Sequence, residues 1–198
     1  MVMTRQFNEA TVLDKVLDVF WSQGWVATSM ADLAEAADVQ RGSLYHAYAS
    51  KEHLFELAFD RYAERVLADS RQALDAPTAR LALQRFFETS ITSMTADVPP
   101  RGCFTTKTAV ESAAIGDSAL RRVRDLVAQL EVVIADALSR DALRDSLRMS
   151  PDQTARAVMI FTRGLAVMER IHAEPGSLRE MAALQITLLL GSEESTRT

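Results

Sequence analysis

Two stretches of this sequence hold side chains whose types and spacing can do chemistry. The first is Gln40-Arg41-Gly42-Ser43-Leu44-Tyr45-His46. Wound as a helix, it turns Leu44 inward and leaves Gln40, Arg41, Ser43, Tyr45 and His46 outward. Arg and Gln match the donor–acceptor patterns of base edges, Ser bonds a base or a phosphate, and Tyr reaches phosphates. Gly42 lets a backbone come close. Lys51 adds a cation beside the free amides that open the next helix, and Thr28 and Ser29, just upstream, complete this candidate DNA-contacting set. The second stretch is Arg101-Gly102-Cys103-Phe104-Thr105-Thr106-Lys107. A cysteine at a helix start, with Arg101 near and Lys107 one turn on, is placed to ionise and to react with oxidants or electrophiles.

The elements that must position these residues are helices. Apolar residues recur at three-to-four spacing nearly throughout, and period-2 alternation is scarce. Leu13, Val16, Leu17, Phe20 and Trp21 form the first stripe, which ends at Gly24. Ser29 caps a short second helix whose inner face is Met30, Leu33, Ala34 and Ala37, with Asp32 near its positive end. After the break at Asp38-Val39, Gln40 to Ala47 reads as a third short helix. Ser50 caps a fourth that runs to about Leu74 and stops before Pro77. A fifth helix covers Thr78 to Thr95, a sixth Cys103 to Ile115, and a seventh Asp117 to Leu138. Ser150-Pro151 is a cap followed by a first-turn proline and opens an eighth, to about Ala173. A ninth runs from Leu178 to Leu190, and residues 191–198 are expected to be loose. The expectation is an all-α chain of nine helices without strands or internal repeats. A three-helix head occupies residues 1–50, a helical body 51–192 and a tail 193–198.

Composition narrows the function. The 198 residues are 48% apolar and 25% charged, ordinary for a soluble protein with a real core. Met1–Asn8 hold no apolar run behind positive charges, and the strongest apolar stretch, Leu184–Leu190, falls far short of the ~20 residues that span a bilayer. A cytoplasmic protein without membrane contact is expected. The single cysteine excludes an intrachain disulfide, and His46, His53 and His172 do not cluster with it, so no metal site or cofactor is expected. There is no Gly-rich phosphate loop, nucleophile elbow or clustered acid–base set, which argues against an enzyme. Net charge is −5, and residues 1–51 carry four Lys/Arg against six Asp/Glu. A nucleic-acid partner must therefore be gripped by few phosphate contacts on one local face.

The two short helices and their brief joint form a helix-turn-helix pattern, in which the second helix enters a major groove. The run from Val19 to Ala34, continued by Ala37 to Tyr48 and Ser50-Lys51-Glu52, resembles the tetracycline-repressor (TetR) family over about fifty residues with its spacing intact. Asp38 stands where that family often has glycine, Ala47 where it often has histidine and Tyr48 where it often has phenylalanine, so one phosphate contact is expected to be missing. The resemblance implies a homodimeric repressor on a palindromic double-stranded DNA operator. It also implies a fourth helix linking head to ligand-binding body, and a dimer interface built from the last two helices. The near-uniform apolarity of the ninth helix and Gly164 in the eighth agree, although a purely intramolecular core helix would look similar. The segment around Cys103, followed by Glu111, is similar to the subgroup that includes the repressor of N-ethylmaleimide reductase, where the equivalent cysteine senses electrophiles and oxidants. Arg170 stands where that subgroup would have a partner lysine.

Two choices stay open at this level. Phe86, Phe87, Met94, Phe104, Met159 and Phe161 could line an effector cavity or be plain core. Cys103 and Lys107 could be a sensor pair, or an inert thiol beside a lysine that pairs with Glu111, with an ordinary small molecule as inducer. The rival to the regulator as a whole is a helical protein-interaction module without sequence-specific DNA binding.

Overall fold

The computed structural model describes residues 8–172 and 174–190. They form ten helices and no strand: α1 (Glu9–Gln23), α2 (Met30–Ala36), α3 (Arg41–Tyr48), α4 (Lys51–Leu74), α5 (Ala79–Thr95), α6 (Phe104–Ile115), α7 (Asp117–Leu138), α8 (Asp141–Arg144), α9 (Pro151–His172) and α10 (Pro175–Leu190). The all-α class stands, but the expected count of nine is corrected to ten. The addition is α8, a single turn with Leu143 as its one buried residue. Four residues are too few to display a 3.6-residue apolar period. The last helix also starts three residues earlier than expected, because Pro175 serves as its first-turn proline rather than as a break. The expected loose tail lies outside the described residues.

The starts of these helices follow from the local sequence. Asn8, Ser29 and Thr78 cap α1, α2 and α5 by accepting from backbone amides of the first turn. Ser50 Oγ accepts from the His53 amide ahead of α4. At α9, Ser150 and Gln153 bond each other's backbone amides at 3.2 Å, so two otherwise unpaired donors are satisfied together.

The described residues divide into two compact units, one within 8–64 and 107–123 and one within 65–106 and 124–190. The first contains α1–α3 and is built around rings. Phe20 stacks on Trp25 at 5.9 Å and meets Phe55 edge-on at 5.1 Å, while Trp21 meets Tyr62 edge-on at 5.1 Å. Edge-to-face pairs of this kind favour one arrangement beyond the area they bury. Arg61 on α4 grips Asp14 on α1 through both oxygens, which fixes the azimuth of α1. In the second unit α5, α9 and α10 pack pairwise. Their buried residues include Leu83, Phe87, Ile91, Met159, Leu165 and Ile186, and Arg179 on α10 forms a two-pronged pair with Glu88 on α5 at 2.7 and 2.8 Å.

Candidate nucleic-acid interface

The α2–α3 pair is held by short-range bonds that the sequence encodes directly. Ser29 Oγ accepts from the amides of Ala31 and Asp32, and Asp32 returns a carboxylate oxygen to the Ser29 amide at 2.7 Å. Those bonds from Ser29, backbone first and side chain second, hold the Asp32 carboxyl below its ordinary value against a small opposing effect of burial. Between the helices Asp38 adopts φ +55°, the left-handed geometry that Asp accepts more readily than most residues. The Val39 amide then bonds the Ala34 oxygen, closing the turn.

α3 is two-sided. Leu44 and Tyr48 are buried, while Gln40, Arg41, Gly42, Tyr45 and His46 are exposed and Ser43 is half-buried. The Arg41 guanidinium carbon lies 5.6 Å from the Tyr45 ring centroid, so the two longest outward side chains form one patch. Gly42 has ordinary backbone geometry, and a Cβ added there meets nothing within 4 Å. The packing of the described residues does not require a glycine at that position.

Thr28 lies in the α1–α2 connection, and Lys51 reaches it from the start of α4. Thr28 is buried and its hydroxyl donates to the Gly24 oxygen at 2.6 Å. Lys51 is half-buried: its Nζ donates to the oxygens of Trp25 (2.8 Å) and Thr28 (2.6 Å) and lies 4.0 Å from the Trp25 ring centroid. Burial lowers its pKa, and the carboxylates of Glu52, Glu111 and Asp32 work in the other direction. Ser29 is exposed, with its side chain engaged in capping α2.

Cys103 lies in the second unit, half-buried, with its Sγ 3.4 Å from a terminal nitrogen of Arg163 on α9. Burial pushes the thiol up. The Arg163 charge and hydrogen bonds from Thr106 and Thr105 outweigh it, and the net effect holds the thiol below its ordinary value. Arg101 instead pairs with Asp97. Sequence reasoning missed Arg163, because a contact sixty residues away in the chain leaves no periodic signal. Lys107 is found at the end of α1, where it donates to the oxygens of Trp21 and Ser22, and Glu111 accepts from the Trp25 amide. Arg170 lies near Gly102, with its Cδ 3.3 Å from where a Cβ would stand.

Of the six aromatic and methionine candidates, Phe86, Phe87, Met94, Phe104 and Met159 are buried and Phe161 is half-buried. Phe87 meets Phe86 and Phe161 edge-on at 5.8 and 5.6 Å. A surface groove of about 340 Å³ runs between α5 and α10, bordered by Glu88, Ile91, Arg179 and Ile186, and Phe87 alone of the six lines it. No group of three or more His, Cys, Asp or Glu able to hold a metal occurs among the described residues.

Comparison with known proteins places this arrangement. The family model described as "Bacterial regulatory proteins, tetR family" matches residues 12–58, and the one described as "Tetracyclin repressor-like, C-terminal domain" matches residues 77–184. The chain belongs to the TetR family, whose members are transcription regulators. It is 35% identical over 100 residues to the HTH-type transcriptional repressor ComR of Escherichia coli, covering 50% of this chain and 48% of ComR. It is 29% identical over 112 residues to the HTH-type regulator YezE of Bacillus subtilis, covering 56% of this chain and 58% of YezE. The chain thus spans about half the length of the curated relatives it matches. In fold it is similar to reduced NemR of E. coli, with TM-score 0.81 and 16% identity over 91% of this chain and 95% of that one. It is likewise similar to a cysteine-substituted CifR solved with 26-base-pair operator DNA, with TM-score 0.83 and 23% identity over 95% of this chain and all of the other.

Proposed function

We propose that the chain is a homodimeric transcriptional repressor that presents α3 to the major groove of a near-palindromic operator and is released by a small-molecule effector or by modification of Cys103. The observation that carries the reading is the two-sidedness of α3. Leu44 and Tyr48 anchor it, while Gln40, Arg41, Tyr45 and His46 face outward around a glycine that the fold itself does not need. Gln and Arg read base edges, Tyr and Ser suit phosphates, and Gly42 admits the sugar–phosphate backbone. Thr28, Ser29 and Lys51 support the head from its α1–α2 connection.

Pairing of two chains is favoured by an apolar stripe that stays exposed among the described residues. On α9, Ile160, Val167 and Ile171 are 74%, 50% and 63% exposed at i, i+7 and i+11, with Gly164 open among them. On α10, Leu184 and Leu188 are 66% and 68% exposed one turn apart. Bundling these faces across a two-fold axis would remove them from water. Two heads would then address grooves about 34–36 Å apart, and an effector acting on the body would tilt α4 and change that spacing. The six aromatic and methionine positions remain the candidate effector lining. No helix among the described residues is long and apolar enough to cross a membrane, and the proposed site of action is the cytoplasm, on the nucleoid.

The Cys103–Arg163 pair favours the second route of release. An arginine-stabilised thiolate adds to the β-carbon of an unsaturated carbonyl, whose α-carbon takes a proton from water. Alternatively, it attacks one oxygen of hydrogen peroxide, breaking the O–O bond to give the sulfenate and water. A gel shift with the duplex upstream of the chain's own gene, repeated with oxidants and electrophiles, tests both parts. Specific retardation supports the repressor, and its absence favours a protein-interaction module. Cys103→Ser should bind operator like the parent and ignore the oxidant; an unchanged oxidant response would remove Cys103 from the mechanism.

A further inference from the structure

The connection between α1 and α2 is held by three charged side chains that lie far away in sequence. Lys51 ties down the oxygens of Trp25 and Thr28 and covers the Trp25 ring. Lys107 on α6 donates to the oxygens of Trp21 and Ser22, which lie in the last turn of α1. Such carbonyls have no partner within their own helix, and a cation there also meets the negative end of the dipole. Glu111, one turn further along α6, accepts from the Trp25 amide at 2.7 Å. Its carboxylate lies so close to Gly24 that a Cβ there would stand 2.8 Å from Oε1, and Gly24 itself has φ +84°. All of these residues belong to the first unit.

These contacts decide how α2 and α3 leave α1. The connection runs from Gly24 to Ser29 and contains no regular structure of its own to resist bending. Its backbone groups are instead bonded to charged partners, which make shorter and stronger bonds than neutral ones. Moving Lys51 to a phosphate would break two such bonds and uncover the Trp25 ring. We infer that Lys51, Lys107 and Glu111 are positioning residues for operator recognition: they aim α3 without touching the duplex. The inference rests on the reading of α3 as the DNA-contacting helix and adds a set of residues that acts through geometry.

The sign of one variant separates this role from ordinary charge effects. Glu111→Ala removes an acidic group from a protein of net charge −5, which by electrostatics alone tightens DNA binding. Acting through position, it should instead weaken binding about tenfold to a duplex enriched from a randomised pool by the wild-type protein. Glu111→Gln keeps an acceptor for the Trp25 amide and should recover most of the loss. Lys51→Met and Lys107→Met should weaken specific binding comparably, with the slope of log affinity against log salt unchanged. A lysine that contacts a phosphate would take about 0.9 off that slope. Affinity for a scrambled duplex should stay near that of the parent, a readout that partial unfolding would not preserve. Unchanged operator affinity in Glu111→Ala, or a slope reduced by about one in both lysine variants, overturns the proposal. Failure of the wild-type protein to enrich any duplex would instead overturn the reading of α3.

Discussion

Replacing Gly42 with alanine separates what the fold needs from what a partner needs. Gly42 is the second residue of α3 and has no positive φ, and an added methyl meets nothing within 4 Å. Within a helix, alanine is favoured over glycine by about 0.5–1 kcal/mol, because glycine loses more backbone freedom on folding. Gly42→Ala should therefore stabilise the protein by up to ~1 kcal/mol, which for a chain of this size raises the melting temperature by about 2–4 °C. On the operator the same methyl would stand where a phosphate or base edge must approach. Backing α3 away weakens its neighbouring contacts, and loss of even one good base contact costs about 1–3 kcal/mol, tenfold or more in affinity. Melting curves and fluorescence anisotropy on one preparation should thus move in opposite directions. A variant that is more stable and binds equally well would show that the open space over Gly42 serves no partner. A variant that melts lower would show that the fold does require the glycine.

Other changes test neighbouring steps. Arg41→Ala should cost about 1–3 kcal/mol on operator and little on scrambled DNA; equal losses on both would make Arg41 a phosphate contact. Val167→Glu places a charge in the exposed stripe of Ile160, Gly164 and Ile171, and sedimentation should then show monomers with weakened operator binding. A dimer that persists unchanged would move the interface elsewhere. The Asp32 cap should be pH-sensitive with a definite sign. Because folding lowers its pKa, its contribution is present above the ordinary value near 3.8 and is lost as pH falls through the lower folded value. The stability gap between parent and Asp32→Asn at neutral pH should therefore close in that acid range. A gap that stays constant would mean the carboxylate's charge does not matter to the cap.

The parts of the structure legible in the sequence are those fixed by local rules. Ser29 with Asp32, Ser50 before α4 and Ser150-Pro151 before α9 each announce a helix start through bonds spanning three residues. The inward turn of Leu44 follows from helical period alone. The single turn α8 was invisible because its period never repeats, and Pro175 was ambiguous because proline both ends and begins helices. The roles of the charged residues escaped for a different reason. Lys51 and Lys107 advertise only a cation at a helix start and a cation one turn from a thiol. Their observed partners are backbone oxygens of Trp21, Ser22, Trp25 and Thr28, groups that every residue carries and that no sequence pattern marks. Arg163 reaches Cys103 only because α9 returns beside the start of α6.

The charge balance of the head gives these hidden contacts their weight. A strongly basic domain holds DNA through many phosphate contacts and tolerates small errors of aim, because most of its binding energy is indifferent to angle. Residues 1–51 hold more acids than bases, and two of the four bases, Lys15 and Lys51, lie half-buried. If α3 reads the duplex as proposed, Arg41 and the polar side chains around it supply a large share of the affinity through directional bonds, which weaken steeply as geometry departs from linear. Such a head is weak away from its operator and strong on it only while α3 is held at the right angle. On that reading a modest displacement would suffice to release the DNA, and the bonds at the Gly24–Ser29 connection would be a more economical point of control than the contact face itself.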